Sequence, residues 1–308
     1  MRHRKIALGL MAFSTAASLL GCSAQHDFTA VQVKETVIAS DSSTKEIGAL
    51  SLSDLKVVPY YGNDGHIATS GFIADMLGVK PERIAELSCY SQAPDDLAFR
   101  YSAPWVGLWG LPAYFGYRHE IVNSLHSLHG GDAQAVVNRR SKLERLAHQS
   151  FISDQPDWQT GFLIHAMGDS YAHVYMKDGE LHSYGEFVGH VFENTPWGEK
   201  PDSIFVNGHA EIYLSYVSAL FRALSPAGGA SDGQIRLRKE FEKRIRAEAQ
   251  KGDDADKTAI FVMPSDPKIY IDADNSKRNC KAAYAKLKDD EVRAFLRSLT
   301  AQLAKPGS

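Results

Sequence analysis

The sequence predicts a mostly α-helical protein, and three observations lead to this fold class. Apolar residues recur at three- and four-residue spacing through most of the chain, as in helices with one buried face. Strand patterns are sparse, since only "AIFVMP" and "KIYIDA", between residues 259 and 273, could make one small β-hairpin near the C-terminus. No internal repeat is evident. A multi-helix bundle is therefore expected.

The apolar spacing also predicts where each helix lies. Eight helices are expected, at about 66–78, 81–98, 118–129, 133–150, 156–176, 206–224, 234–250 and 287–304. The basic stretch at 236–246 is interpreted as the solvated face of a helix and not as a nucleic-acid-binding stripe. The aromatic stretch at 104–117 is either a packed segment or a wall of a substrate cleft, and packing is favoured.

The chain begins with the pattern of a bacterial secretory signal. Three basic residues among the first five precede an apolar stretch from Ile6 to Leu20, and "LLGC" then ends at Cys22. The apolar stretch is shorter than the roughly 20 residues that a membrane-spanning helix needs, which favours a cleaved signal over an anchor. The order resembles a lipoprotein signal. This resemblance implies that residues 1–21 are removed and that Cys22 is lipidated.

The lipoprotein resemblance also implies a location. Ser23 follows the cysteine at the position where aspartate is the usual inner-membrane retention signal in enteric bacteria. We therefore expect a lipid anchor in the outer membrane, with the protein facing the periplasm. Residues 22–55 are polar and rich in Ser, Thr and Ala, which is typical of a tether, and residues 56–308 form the helical domain.

Charge and cysteine content limit the function further. The net charge of −3 falls to −6 when residues 1–21 are removed, because they carry three positive charges and no negative ones. A mildly acidic protein is not expected to bind nucleic-acid backbones. Once Cys22 is lipidated, Cys89 and Cys280 remain. In an oxidising compartment they could form a disulfide or stay as separate buried thiols.

A stripe of polar residues interrupts an apolar run in "HAMGDSYAHV", residues 165–174. His165, Asp169 and His173 are four residues apart, so on a helix they spread over only about 80° of the circumference. A buried carboxylate needs a partner or a metal, and zinc accepts both imidazole nitrogen and carboxylate oxygen. The alternative is a core network in which Asp169 orients the two histidines by hydrogen bonds.

The distribution of histidine favours the metal. Nine of the twelve histidines lie between His119 and His209. His119 and His126, seven residues apart, share one face of a predicted helix. Such clustering is typical of a metal centre.

These residues resemble the zinc-dependent phospholipase C and P1 nuclease superfamily. Its members are all-helical enzymes whose signature helix carries His-x3-Asp followed by another histidine, matched here at His165, Gly168 and Asp169. The resemblance spans roughly residues 60–205 and includes either Asp95 or Asp96, as a metal ligand or as a base on a bound water. The metal ligands that it implies are His66, Asp95, His126, His165, Asp169, His173 and His190.

The sequence departs from the superfamily pattern at three points. His173 comes sooner after the aspartate than the corresponding histidine, with no proline before it, as in a divergent bacterial branch. Asn194 stands four residues after His190, where the superfamily has a glutamate ligand. An acylated Cys22 has no free amine to bind a third zinc, so two zinc ions are expected. Further candidate ligands, including replacements for the missing carboxylate, are His119, Glu186, Glu193 and Asp202.

The resemblance implies a membrane-anchored zinc-dependent hydrolase of phosphoester bonds, similar to phospholipase C, that uses two zinc ions to activate water. Phospholipid is favoured over nucleic acid as the substrate, because the protein is expected at a membrane and has no basic face. The alternatives are a non-catalytic metal-binding or structural lipoprotein on the same scaffold and, second, a P1-type nuclease. The one Gly-x-Ser-x-Gly match, "GASDG" at residues 229–233, follows a predicted helix and not the strand that a nucleophile elbow requires, so a serine hydrolase has no support.

Overall fold

The computed structural model describes about three fifths of the chain. The described residues are 64–96, 101, 106, 115–153, 155–186, 203–205, 208–252, 255, 260–265 and 280–305. All of them belong to the second of two units into which the chain divides, Lys45–Ser308. The predicted signal at 1–21, the predicted tether at 22–55 and Cys22 lie outside the described residues. Among the described helices, none combines the length and the apolar character needed to cross a membrane.

Helices dominate the described residues, and the prediction of a mostly helical protein is confirmed. Two of them are preceded or followed by π-helical turns, Asp64–Ala68 before α1 and Glu120–Leu125 after α3. The helices are α1 (Thr69–Met76), α2 (Pro81–Gln92), α3 (Phe115–His119), α4 (Ala133–Ile152), α5 (Asp157–Ala172), α6 (His209–Ala223), α7 (Asp232–Ala249), α8 (Lys281–Tyr284) and α9 (Asp289–Ala304).

Local signals explain several helix boundaries. Pro81 starts α2, where the missing N–H of proline costs nothing. The carboxylate of Asp132 accepts a hydrogen bond from the backbone N–H of Ala135 and caps α4. Ser231 and Gln234 form a reciprocal capping box at the start of α7.

Three predicted helix ends lie too far along the chain. The helix expected at 118–129 ends with the π-helical turn at Leu125. The helix expected to run to residue 98 ends at Gln92, and a 3-10 turn, Ala93–Asp95, follows because Pro94 has no N–H to continue the α-helix. The helix expected to run to residue 176 ends at Ala172. Strand β1 (Val174–Lys177) begins two residues later and pairs in antiparallel fashion with β2 (Glu180–Ser183).

The turn between the two strands explains why α5 ends before residue 176. Asp178 and Gly179 both have positive φ, 54° and 83°, as a two-residue type I′ hairpin turn requires. The Asp-Gly pair is thus the sequence signal for this hairpin. Of the hairpin expected at 259–273, only residues 260–265 are described, and Val262 makes an isolated β-bridge there.

Helix α5 lies at the centre of the core. Every residue from Thr160 to Ala172 is buried, because α2, α4 and α6 pack around the helix. Two apolar clusters flank it. One is built mainly from α1, α2, α4, α6 and α7, and the other joins the π-helical turn at 120–125 to α9. Because other helices surround α5, polar side chains on every face of this helix are buried.

A disulfide joins Cys89 in α2 to Cys280, the residue before α8, with the two Cα atoms 5.2 Å apart. Both cysteines are buried in the first apolar cluster. Of the two states that the sequence left open for these cysteines, the structure has the bridge. It fixes the C-terminal helices to the end of α2.

Candidate metal centre

Five polar side chains meet in the core beside α5. They are contributed by four separate parts of the chain: His66, Asp95, His126, His165 and Asp169. The carboxylate of Asp169 is the hub, since its Oδ1 lies 3.0 Å from His66 Nε2 and its Oδ2 lies 3.1 Å from His126 Nδ1 and 3.2 Å from His165 Nε2. The name "buried cluster" is used below for these five residues.

Helix α5 supplies two of the five residues. His165 and Asp169 are one turn apart on the same face, as the spacing in the sequence predicts. Both are almost completely buried, with 0% and 3% of their surface exposed. The helix therefore carries an aspartate into the centre of the core, where a charge needs compensation.

Two π-helical turns supply the histidines that face α5. His66 lies within the turn Asp64–Ala68, and His126 directly follows the turn Glu120–Leu125. Single π-helical turns inside helices are frequent at functional sites. Residues 125–131, "LHSLHGG", contain two histidines. His126 is the one that faces the cluster, whereas His129 donates from Nδ1 to the Ser127 carbonyl 2.8 Å away.

Gly168 makes room for His66 against α5. A Cβ atom at position 168 would lie 3.0 Å from Cε1 and 3.1 Å from Nδ1 of His66, closer than most real contacts of a Cβ. The glycine next to Asp169 therefore lets an imidazole ring lie directly on the helix. This is a packing reason for Gly168 in the motif.

Gly161 has a similar role two turns earlier. A Cβ atom there would lie 2.3 Å from the Cβ of Tyr90 and 3.0 Å from the backbone nitrogen of Ser91. The absence of a side chain brings the end of α2 close to α5. As a result the Ser91 carbonyl accepts a hydrogen bond from His165 Nδ1 at 2.9 Å, and Asp95 faces the cluster.

The hydrogen bonds at the outer nitrogens set the tautomers of two histidines. His165 Nδ1 donates to Ser91, and His126 Nε2 donates to the Tyr101 carbonyl at 3.4 Å. The opposite nitrogens, His165 Nε2 and His126 Nδ1, then carry lone pairs and face each other at 3.2 Å. Three electron-rich atoms, these two nitrogens and Oδ2 of Asp169, therefore lie within 3.2 Å of one another. Such an arrangement requires a proton or a cation between them.

The spacing of these atoms fits a metal ion. Four ligands at 2.0–2.1 Å from a tetrahedral zinc ion stand about 3.4 Å from one another. The separations within the buried cluster run from 3.0 to 3.2 Å around Asp169, and Asp95 lies 3.8 Å from each of the three histidine nitrogens. Two overlapping groups of donors could hold a metal ion: His66, His165 and Asp169 in one, and Asp95, His126 and His165 in the other.

The ionisation of the cluster agrees with a site for positive charge. Burial is the largest influence on Asp169 and acts to raise its pKa, but the neighbouring imidazoles of His165, His173 and His126 hold this pKa well below its usual range. Burial likewise acts to lower the pKa of His165, yet the charges of Asp169 and Asp95 raise it above its ordinary value. Burial, followed by the charge of His165, lowers the pKa of His66. Asp169 is thus ionised and attracts one positive charge.

Asp95 is the exposed member of the cluster. Its side chain is 29% exposed, whereas the side chains of the other four members are between 0% and 5% exposed. Asp96 lies beyond the 3-10 turn, where its charge acts on Tyr101 and Tyr284. Of the two aspartates that the sequence left open, Asp95 is the one whose carboxylate faces the histidines.

The other predicted ligands are placed differently. His173, at the end of α5, donates from Nδ1 to the His126 carbonyl at 2.7 Å, so this nitrogen anchors the segment before the hairpin. His119 and Glu186 bond to each other at 2.6 Å, and Glu186 also accepts a hydrogen bond from Asn123, so the structure does not bring this pair to the buried cluster. His190, Glu193 and Asp202 lie outside the described residues.

Sequence analysis missed the groups that orient the cluster. The carbonyls of Ser91 and Tyr101 carry no side-chain signal, so no residue pattern could have identified them. Gln92 could have been found, because it precedes Asp95 by three residues and therefore lies beside it at a helix end. Its Nε2 donates to Asp95 Oδ2 at 3.2 Å.

Comparisons of the chain with protein-family models, with curated proteins and with solved structures found no match. The evidence for a function therefore comes from the chemistry of the buried cluster. Buried histidine and aspartate groups of the cluster could bind a metal ion.

Proposed function

We propose that the protein is a lipid-anchored, zinc-dependent hydrolase of phosphoester bonds with a helical bundle similar to that of phospholipase C. One observation carries the proposal: a buried group of imidazole and carboxylate ligands with one member, Asp95, that is 29% exposed. A catalytic metal site needs several protein ligands together with one position open to water. A site enclosed on most sides and exposed at a carboxylate meets both requirements.

Zinc suits the donor set better than the harder divalent cations. Three of the five donors are imidazoles, which calcium and magnesium ligand sets rarely contain. His126, His165, Asp95 and Asp169 would hold one ion. The second carboxylate oxygen of Asp169 faces His66, so a second ion could be held there. Bound zinc supplies a lowered pKa for a coordinated water and positive charge for the oxygens of a phosphoester.

The residues around the ions have three separate roles: they neutralise charge, orient the histidines and accept a proton. Asp169 neutralises positive charge in the core, and Ser91 and Tyr101 hold His165 and His126 in the required tautomers through their carbonyls. Asp95, at the exposed edge, can accept a proton from a water molecule. Its carboxylate is therefore assigned as both a ligand and the base on water.

The proposed substrate is a phospholipid. The support for it comes from the sequence, since the expected anchor at Cys22 places the domain at the outer membrane and the net charge of −6 for the mature chain disfavours nucleic acid. A phosphodiester head group needs one or two cations to bind its oxygens, and the buried cluster is built to hold them.

One observation favours a second candidate, a structural metal site. Four of the five side chains are nearly inaccessible, and structural zinc sites are closed by four protein ligands. In that case the metal stabilises the fold and the protein has no hydrolytic activity. Asp95 would then complete the coordination instead of acting on water.

The test is metal content and turnover of the soluble domain, residues 23–308, with Asp95→Asn and its neighbour Asp96→Asn as matched variants. We expect bound zinc in the purified protein and hydrolysis of phospholipid or generic phosphodiesters that a chelator abolishes and zinc restores. Asp95→Asn should lower turnover about 100-fold or more, because a positioned general base contributes about 10²–10⁴ in rate. Asp96→Asn should retain the wild-type rate.

Two results would contradict this proposal in different ways. Zinc bound stoichiometrically without turnover of any phosphoester would leave the structural site as the function. A wild-type domain that binds no zinc after metal loading would exclude both candidate functions. Asp169 would then belong to a core network that orients the histidines by hydrogen bonds.

A further inference from the structure

Gln92 is a buried polar residue directly behind the exposed edge of the cluster. It is the last residue of α2 and is 1% exposed. Its amide nitrogen donates to Oδ2 of Asp95 at 3.2 Å, across the first residues of the 3-10 turn. A glutamine on a helix that packs against the core would ordinarily point to solvent, so its burial next to Asp95 needs an explanation.

The other end of the amide supports a functional explanation. Among the described residues, Oε1 of Gln92 has no hydrogen-bond partner although it is buried. The orientation of the amide is set by Asp95, since an exchange of its oxygen and nitrogen would place two acceptors against each other. The glutamine thus keeps an unsatisfied buried acceptor in order to donate to Asp95. Such groups are rare in stable cores.

Asp95 is the cluster member that most needs a fixed orientation. Its oxygens lie 3.8 Å from the nitrogens of His66, His126 and His165, whereas those of Asp169 lie within 3.2 Å of the same three nitrogens. Asp95 is also the most exposed of the five, so water competes for its carboxylate. A donor on Oδ2 of Asp95 limits the rotation of the side chain away from the histidines.

We propose that Gln92 is a positioning residue, which holds the Asp95 carboxylate toward the histidines so that it can bind the metal. This inference rests on the proposed function, since it assumes a metal at the buried cluster. Carboxylate ligands of metals are themselves oriented by hydrogen-bond donors, and the loss of such a donor typically weakens metal binding 10- to 100-fold. Gln92 has this role without being a ligand.

The experiment measures zinc affinity and metal-free stability in parallel, on the mature chain. Gln92→Met keeps the length of the side chain and removes the amide, and Gln92→Asn keeps an amide that is too short to reach Asp95. Tyr90→Phe is the control, because it removes a hydrogen bond from the same end of α2, from the Tyr90 hydroxyl to the Ala283 carbonyl at 3.2 Å, without touching Asp95. Zinc affinity is measured by competition with a chromophoric chelator.

We expect both Gln92 variants to bind zinc about 10- to 100-fold more weakly than wild type. The melting temperature of metal-free Gln92→Met should not fall, because the variant also removes the unsatisfied buried oxygen. Tyr90→Phe should bind zinc within twofold of wild type. A purely structural role for Gln92 would instead lower the metal-free melting temperature and leave the zinc affinity unchanged.

The outcomes separate this inference from the proposed function. If wild type binds zinc and both Gln92 variants bind it equally tightly, the inference is wrong and the metal centre stands. If Tyr90→Phe weakens binding as much as Gln92→Met, the effect belongs to the helix end and the inference is also wrong. If wild type binds no zinc, the proposed function and the inference fail together.

Discussion

Asp169 shows how single residues set the chemistry of this core. A carboxylate in the interior must be paired, and three imidazoles provide the partners. Gly168, its neighbour, leaves the space into which the ring of His66 fits. The two adjacent residues therefore act together: Asp169 supplies the negative charge, and Gly168 leaves the space for the ring of His66.

His129 gives a prediction at the same scale that does not depend on a metal. Burial, reinforced by the charge of Arg139, lowers the pKa of His129 to about 4. Below pH 6.5 the unfolded chain takes up a proton that the folded protein does not bind until about pH 4, so stability is lost as the pH falls through this range. His129→Asn should lose less stability between pH 7 and pH 4.5 than wild type, by about 2 kcal/mol.

Urea unfolding of the metal-free domain at several pH values measures this difference. The asparagine keeps a donor for the Ser127 carbonyl, so the two proteins should be closest in stability at pH 7. Parallel losses of stability in both proteins down to pH 4.5 would show that His129 titrates normally.

At the scale of elements, the cluster depends on how closely α2 approaches α5. Gly161 lies where the two helices meet, and its missing side chain allows Tyr90 and Ser91 to pack directly against the α5 backbone. The same approach places the Ser91 carbonyl on His165 and the turn with Asp95 beside the other histidines. The contact between α2 and α5 therefore also determines the geometry of the buried cluster.

Replacement of Gly161 tests this contact. In an open helical position Gly→Ala stabilises a helix by about 0.5–1 kcal/mol. In Gly161→Ala the new methyl group would overlap Tyr90, so the free energy of unfolding should instead fall by about 3 kcal/mol. Gly228→Ala is the control, because a Cβ there meets nothing within 4 Å. Equal stability of the two variants by urea unfolding would show that the helices are not in this contact.

The elements also show what the sequence could predict. Apolar spacing located the helices well, because burial of one face determines that period. It failed where Pro94 ended α2 and where the Asp178–Gly179 turn replaced the end of a helix with a hairpin. Both signals are local, and they were outweighed by the continuing apolar pattern.

The candidate site was predictable to a different degree. His165 and Asp169 follow from spacing on one helix, since i and i+4 always share a face. The approach of His66 and His126 depends on how distant segments pack, and only the superfamily resemblance placed them together. The choice of Asp95 over Asp96 depends on the 3-10 turn, whose geometry decides which carboxylate turns inward.

At the scale of the whole molecule, the disulfide connects distant parts of the chain. Cys89 and Cys280 are separated by 191 residues, so the bridge restricts most of the unfolded chain. In the chain-entropy model a loop of this length corresponds to about 5 kcal/mol of stabilisation. The bridge encloses Asp95, His126, His165 and Asp169 in a single covalent loop.

Removal of the bridge should be costly. In a Cys89→Ala, Cys280→Ala variant we expect the free energy of unfolding to fall by about 2–5 kcal/mol, measured by urea unfolding against wild type. A Cys22→Ser variant is the control, since this cysteine is not part of the bridge. Two free thiols in native wild type, found by thiol labelling and mass spectrometry, would contradict the bridge itself.

The separation of the two cysteines also fixes an order of events during secretion. A chain that enters the oxidising compartment from its N-terminus, as the proposed secretory signal implies, exposes Cys89 there before Cys280 arrives. The chain has three cysteines, so throughout that interval Cys22 is the one thiol of the same chain with which Cys89 could pair. Lipidation at the sulfur of Cys22, as proposed, would remove this competitor, and the modification that anchors the protein would then also protect it from a mispaired bridge.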